Sequence, residues 1–300
     1  MTDLTIFDAW ANAPAPPGEA VPDPNTLQFL RSAQDAAYRT GASLDALLAA
    51  YAEHGVAGGV LTKVERRLMP PFFDMLELDD ARVHRMCAEI AAHMASAPGR
   101  FHGSVMLDPR LGFGAARHVA IAVEEYGISV IRVMPSLSNL DASDALCYPL
   151  YTAACERGAV VTINVGVPGP RQPAKHQRPM LVDDVALAFP DLRIVLAHVG
   201  HPWQSEVVAL LNKHPNVFLM TSGFAPRYIP SEITSYMASS RGRDKVMWAS
   251  DYPALTVERT VTEALALGLP VASLERYMGL NALEVFGRPA AWAPAAEDHG

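Results

Sequence analysis

An α/β barrel of eight parallel strands, a TIM barrel, is the fold this sequence predicts, and three observations predict it. Eight short β-like runs alternate with helical patterns along almost the whole chain. No linker breaks the alternation, so one domain is expected over residues 1–288, with an Ala/Pro-rich tail at 289–300 expected to be disordered. No GxGxxG follows any run, which disfavours the open doubly wound sheet. At 300 residues and 50% hydrophobic composition, the chain suits a barrel of this class.

The elements follow in order. The first run, 4–8 (LTIFD), ends in an acid and enters a stretch rich in proline. Residues 13–42 are therefore expected to be an insertion after the first strand, with a short helix at 28–39, serving as a lid over the mouth or as a dimer arm. Ser43 is an N-cap for LDALLAAYAEH, and Gly55 stops that helix. The second run is 58–62 (GGVLT), followed by a helix over 80–96. Further strands are expected at 101–107, 128–134, 159–165, 193–198, 217–222 and 245–250. Helices are expected at 114–126, 144–157, 181–189, 204–214, 231–240 and 257–267, with a closing one at 271–286.

Composition narrows the function classes. A net charge of −8 gives no basic field, so nucleic acid is not an expected partner. Three cysteines without CxxC spacing suggest a reducing compartment and no cysteine metal site. The first residues lack a secretory pattern, and no apolar run reaches the roughly 20 residues of a membrane helix, so a cytoplasmic protein without a membrane partner is expected.

In a barrel of this kind the chemistry gathers where strands end. The exits here carry Trp10 and Asn12, Arg132, Asn164, His198, Thr221 with Ser222, and Asp251. A carboxylate or imidazole at the end of an apolar strand is costly unless it has a partner or a task. His198 and Asp251 form either a base with its orienting partner or two metal ligands. Each also has a structural alternative, a core histidine for one and a loop anchor for the other.

Several motifs carry a family resemblance spread over nearly the whole chain. IVLAHVGHPW (194–203) and VMWASDYP (246–253) are the specific ones, joined by IFDAWAN (6–12), VTINVG (161–166) and NALEVFG (281–287). With these the chain resembles the amidohydrolase-related family, the branch that includes carboxymuconate-semialdehyde decarboxylase-like and pyrone-dicarboxylate lactonase-like enzymes. The resemblance implies a metal held by two first-strand histidines, later histidines and the eighth-strand acid. Here Trp10 and Asn12 stand at the first-strand positions and Asn164 at the fifth-strand one, leaving His198 and Asp251. Two protein ligands fall short of the three that catalytic zinc takes. No bound metal is therefore expected, with zinc at His198 and Asp251 as the alternative.

Cations point to the substrate. Arg132 interrupts an apolar strand, and a guanidinium is not buried there without an anion or acceptor. The loop over 166–180 holds Arg171, Lys175, His176 and Arg178 without an acid, and Lys63, Arg66, Arg67 and Arg227 follow other strands. His201 is a further candidate acid or base. The expected activity is metal-independent hydrolysis, lactonase-like, of a small carboxylate-bearing cyclic or aromatic compound. Asp251 is the expected general base and His198 its neighbour, with Trp10, Asn12, Arg132, Asn164, His201 and Arg227 against the substrate. The alternatives are a non-oxidative decarboxylase or other C–C lyase, and a catalytically silent ligand-binding barrel. A homodimer is compatible with the insertion.

Overall fold

The computed structural model of the chain describes residues 4–14, 42–63, 78–168 and 172–292. The bulk of the 13–42 insertion with its expected helix, Arg66, Arg67, Arg171 and most of the tail lie outside the described residues.

Eight strands line up in sequence order, every neighbouring pair parallel. They are β1 (Ile6–Asn12), β2 (Val56–Lys63), β3 (Phe101–Met106) and β4 (Val130–Val133), then β5 (Val160–Asn164), β6 (Ile194–Ala197), β7 (Val217–Met220) and β8 (Val246–Met247). The ring closes between its ends. Ala9 N donates to Trp248 O at 3.1 Å, Asp251 N to Trp10 O at 2.9 Å and Asn12 N to Tyr252 O at 2.8 Å. The expected TIM barrel is the observed fold.

Strand alternation sorts the core into two shells. Val60, Val130, Val160, Val195 and Met247 fill the barrel interior, which Val285, Phe286 and Trp292 plug from the strand-start end near Phe7. The intervening residues, such as Leu61, Ile131 and Leu196, face out against Leu47, Met86, Ile90 and Leu210 of the helices. Ser43 caps its helix as expected, accepting from Ala46 N at 3.1 Å. Among the described residues no helix is long and apolar enough to cross a membrane.

Element boundaries differ from expectation at the ends. β6 stops at Ala197, so His198 lies beyond the ladder rather than in it, and β8 stops at Met247, so Asp251 follows the ladder at a greater distance than expected. A short helix, Pro135–Ser138, follows β4 where a loop was expected. The closing helix at 271–286 is interrupted by a wide turn, Arg276–Leu280, which lays Gly279 against the backbone of Thr5 and Phe7. No residue with a Cβ fits that approach.

Candidate active site at the strand ends

The site begins with an irregularity in β1. Asp8 pairs with Gly59 but Ala11 pairs with Leu61, so three steps on β1 match two on β2. Such a bulge re-aims side chains. It sends Asp8 toward the helix layer, where Tyr51 Oη donates to it at 2.8 Å, while Trp10 and Asn12 turn inward. Asp8 also accepts from Trp10 N at 3.0 Å, from Ser250 N at 2.9 Å and from Ser250 Oγ. Burial still pushes its carboxyl up to about 6, against the pull of these donors. Asp8 thus bolts β1 to the segment after β8, just before Asp251.

His198 and Asp251 are both held in left-handed backbone, with φ of 74° and 55°. Non-glycine residues occupy that region only when their surroundings enforce it, and such outliers gather at functional sites. His198 Nδ1 lies 3.0 Å from Ser222 O and 2.9 Å from Ser222 Oγ. A carbonyl oxygen only accepts, so the ring carries its proton on Nδ1 and leaves Nε2 as a bare acceptor. Burial lowers the His198 pKa; Asp251 opposes this and Arg132 adds to it, so the ring is neutral near pH 7. Burial raises the Asp251 pKa, while His198, the Asn12 amide, Arg132 and Trp10 pull it down. Asn12 Nδ2 donates to Asp251 Oδ1 at 2.9 Å and to Tyr252 O at 3.1 Å. Gly223 sits against both groups, since a Cβ there would lie 3.0 Å from His198 Nδ1 and 3.6 Å from Asp251 Oδ2.

Arg132 completes the cluster from β4. Its Nε donates to Asn164 Oδ1 at 3.1 Å, and its guanidinium carbon lies 4.0 Å from the centre of the Trp10 ring. One Nη reaches only the Met134 thioether, at 3.8 Å. The residue is 6% exposed, and burial brings its pKa down to about 9 while Asp251 holds it up. No carboxylate of the described residues lies within ion-pair distance of it. By register, Thr162 faces inward beside Arg132, and Thr62 and Ser104 do so as a pair on β2 and β3. All three hydroxyls are buried without a hydrogen-bond partner.

The structure therefore brings together Trp10, Asn12, Arg132, Asn164, His198 and Asp251, and it places His201 and Arg227 outside that cluster. Trp10 is 1% exposed, with the guanidinium on its face and His198 5.5 Å away at an angle of 63°. His201 is exposed and bonds Gln204, at 2.9 Å. Arg227 pairs with Glu263 at 3.2 Å and lies over Tyr228. Neither is bonded to a member of the cluster. In the basic loop after β5, His176 meets Asp141 and Arg178 meets Glu206, both at 2.6 Å. Lys63 pairs with Glu89. Sequence reading left Ser222, Gly223 and Ser250 without roles. Ser222 stood at a strand exit, but the partner of a backbone carbonyl carries no sequence signal.

A catalytic divalent metal does not fit this donor set. His198 Nε2 and the Asp251 carboxylate are available, but Asn164 Oδ1 accepts from Arg132, and the Asn12 amide group faces Asp251. Among the described residues no group of three or more His, Cys, Asp or Glu side chains is placed to hold an ion. A guanidinium beside the carboxylate would further repel one.

The comparisons agree with this architecture. A family model described as amidohydrolase matches residues 7–288. No curated protein matches the sequence. Among solved structures, an uncharacterized TIM-barrel protein from Bordetella bronchiseptica superposes with a TM-score of 0.77 at 20% identity, covering 95% of this chain and 100% of that one. A 5-carboxyvanillate decarboxylase from Novosphingobium aromaticivorans, complexed with manganese and 4-hydroxy-3-methoxy-5-nitrobenzoic acid, gives 0.71 at 16% identity over 94% and 96%. A probable 2-pyrone-4,6-dicarboxylic acid hydrolase from Acinetobacter baumannii, with citric acid bound, gives 0.62 at 15% identity over 95% and 100%. With the family model spanning nearly the whole barrel, this chain belongs to the amidohydrolase family.

Proposed function

We propose that this chain is a metal-independent, lactonase-like hydrolase of a small carboxylate-bearing cyclic or aromatic compound. The observation that carries this reading is the Asp251 carboxylate, on a half-buried residue, beside a buried guanidinium that has no carboxylate partner among the described residues. A buried cation without a counter-ion is costly, and a ligand carboxylate would relieve that cost. Arg132 then binds the anionic group of the substrate. Asp251 takes a proton from a water that attacks the ester carbonyl, and it returns that proton to the leaving ring oxygen. His198, neutral and with Nε2 unprotonated, accepts a hydrogen bond from that water rather than donating one to the carbonyl. Negative charge gathering on the carbonyl oxygen is favoured by the guanidinium in this low-dielectric pocket. The surroundings of Asp251 are polar, with Asn12, Arg132 and His198 about it, which favours chemistry over a silent barrel.

A second reading is decarboxylation of an aromatic acid, favoured by the decarboxylases among the structural neighbours. There Asp251 would act in its protonated form, delivering a proton to the ring carbon as CO₂ leaves. The raised Asp251 pKa separates the two, because its titration lies above the ordinary carboxylate range. Hydrolysis needs the ionised form, so kcat/KM rises with pH through that titration; decarboxylation needs the protonated form, so it falls. A screen of lactones and aromatic acids with pH profiles tests this. CO₂ release with a falling profile overturns the hydrolase reading.

A further inference from the structure

The residues standing at the positions of missing metal ligands are not idle. Asn164 replaces the fifth-strand histidine, and its Oδ1 accepts from Arg132 Nε at 3.1 Å. Trp10 replaces a first-strand histidine, and its ring lies under the same guanidinium at 4.0 Å. A neutral amide oxygen and an aromatic face are the two uncharged groups best suited to hold a guanidinium away from water. Neither serves a divalent ion, since an indole does not ligate and this amide oxygen is already engaged. Arg132 enters from β4, next to β5, where register sets it beside Thr162 and two residues below Asn164. The other orphaned hydroxyls of this side, Thr62 and Ser104, are neutral as well.

We infer that Arg132 is the resident cation of this site: Trp10 and Asn164 form its cradle, and its fixed charge excludes a divalent ion from the space shared with His198 and Asp251. The inference deepens the metal-free reading, giving it a cause beyond a short ligand list. A chain that had merely lost ligands would keep weak metal binding at His198 and Asp251. A chain carrying its own cation there repels the ion even from these two. The same fixed charge selects a ligand with an anionic group, because only an anion completes the guanidinium without adding a cation.

The test is metal uptake, which needs no substrate. Wild type, Arg132→Met and Arg132→Met/Trp10→His/Asn164→His are dialysed against Mn²⁺ or Zn²⁺ and assayed by elemental analysis, with folding checked by thermal melting. Wild type is expected to hold under about 0.1 equivalent at ion concentrations where the triple variant approaches one, and Arg132→Met is expected to bind at least about tenfold more tightly than wild type. Should Arg132→Met not fold, Arg132→Gln takes its place, since its amide still reaches an acceptor. One equivalent on wild type, or a neutral residue at 132 that leaves affinity unchanged, overturns the inference. The outcome is separable from the proposed activity. A wild type that turns over lactones after chelation, while the 132 variants gain no metal, keeps the activity and loses the inference. Gained metal binding in a protein inert on every lactone does the reverse.

Discussion

The two sides of the barrel mouth are built on opposite principles. On the β8–β1 side nearly every polar group is spent. Asp8 collects donors from Trp10, Tyr51 and Ser250, and the Asn12 amide reaches Asp251 and Tyr252. On the β2–β5 side Thr62, Ser104 and Thr162 have no partners, and Arg132 has one amide, one thioether and one ring. Buried polar groups are normally satisfied, so a concentration of exceptions calls for an explanation. The contrast separates scaffold from site. The saturated seam holds Asp251 in left-handed backbone, and the unsaturated side is where we propose that a ligand anion binds.

Two buried carboxylates make the same point. Both Asp8 and Asp251 are pushed up by burial, yet Asp8 is completely enclosed by donors while Asp251 keeps partial access to solvent. Asp251→Asn is therefore expected to cost the most, roughly 10³-fold in kcat, with the melting temperature nearly unchanged. A steady-state assay beside a thermal melt checks this, and equal losses in both would place Asp251 on the scaffold side. Arg132→Gln comes next. Losing a charge-assisted bond to substrate is worth about 2 kcal/mol, so KM should rise about thirtyfold with a smaller change in kcat. A pure kcat effect would remove Arg132 from ground-state binding and leave it only the developing charge on the carbonyl oxygen.

The seam should answer in stability instead. Ser250→Ala removes a donor from the enclosed Asp8 carboxylate and should cost about 1–3 kcal/mol in denaturant unfolding, with kcat of the folded protein kept within severalfold. The pH dependence has a definite sign. The folded-state value of Asp8, about 6, exceeds its ordinary value of 3.8, so its contribution to stability is full below the ordinary range and is lost as pH rises toward and past about 6. Asp8→Asn should flatten that part of the stability curve. Arg227→Ala should do least, within about 0.5 kcal/mol and without change in kcat/KM, because its pair with Glu263 is exposed.

How much of this was legible in the sequence follows from the same contrast. Strand alternation, Asp251 after an apolar run and Arg132 inside one were readable, because burial against charge is a local conflict. The bulge that turns Trp10 and Asn12 inward past Asp8 was not, since register depends on the partner strand. For the same reason the place of the Trp10 ring under Arg132 was not readable from the sequence. His201 and Arg227 stand near strand exits in sequence, and the structure pairs them with Gln204 and Glu263. His176, Arg178 and Lys63 are matched by acids more than twenty residues away, which no local reading pairs.

The central claim is that Asp251 acts as an unmetallated base beside a fixed guanidinium. It is tested most directly by turnover of a carboxylated lactone with protein exhaustively treated with a chelator, compared with the same protein after addition of Mn²⁺ or Zn²⁺ and with Asp251→Asn. The account predicts full activity after chelation, no gain from added metal, and loss of activity in Asp251→Asn. Activity abolished by the chelator and restored by the metal would contradict it.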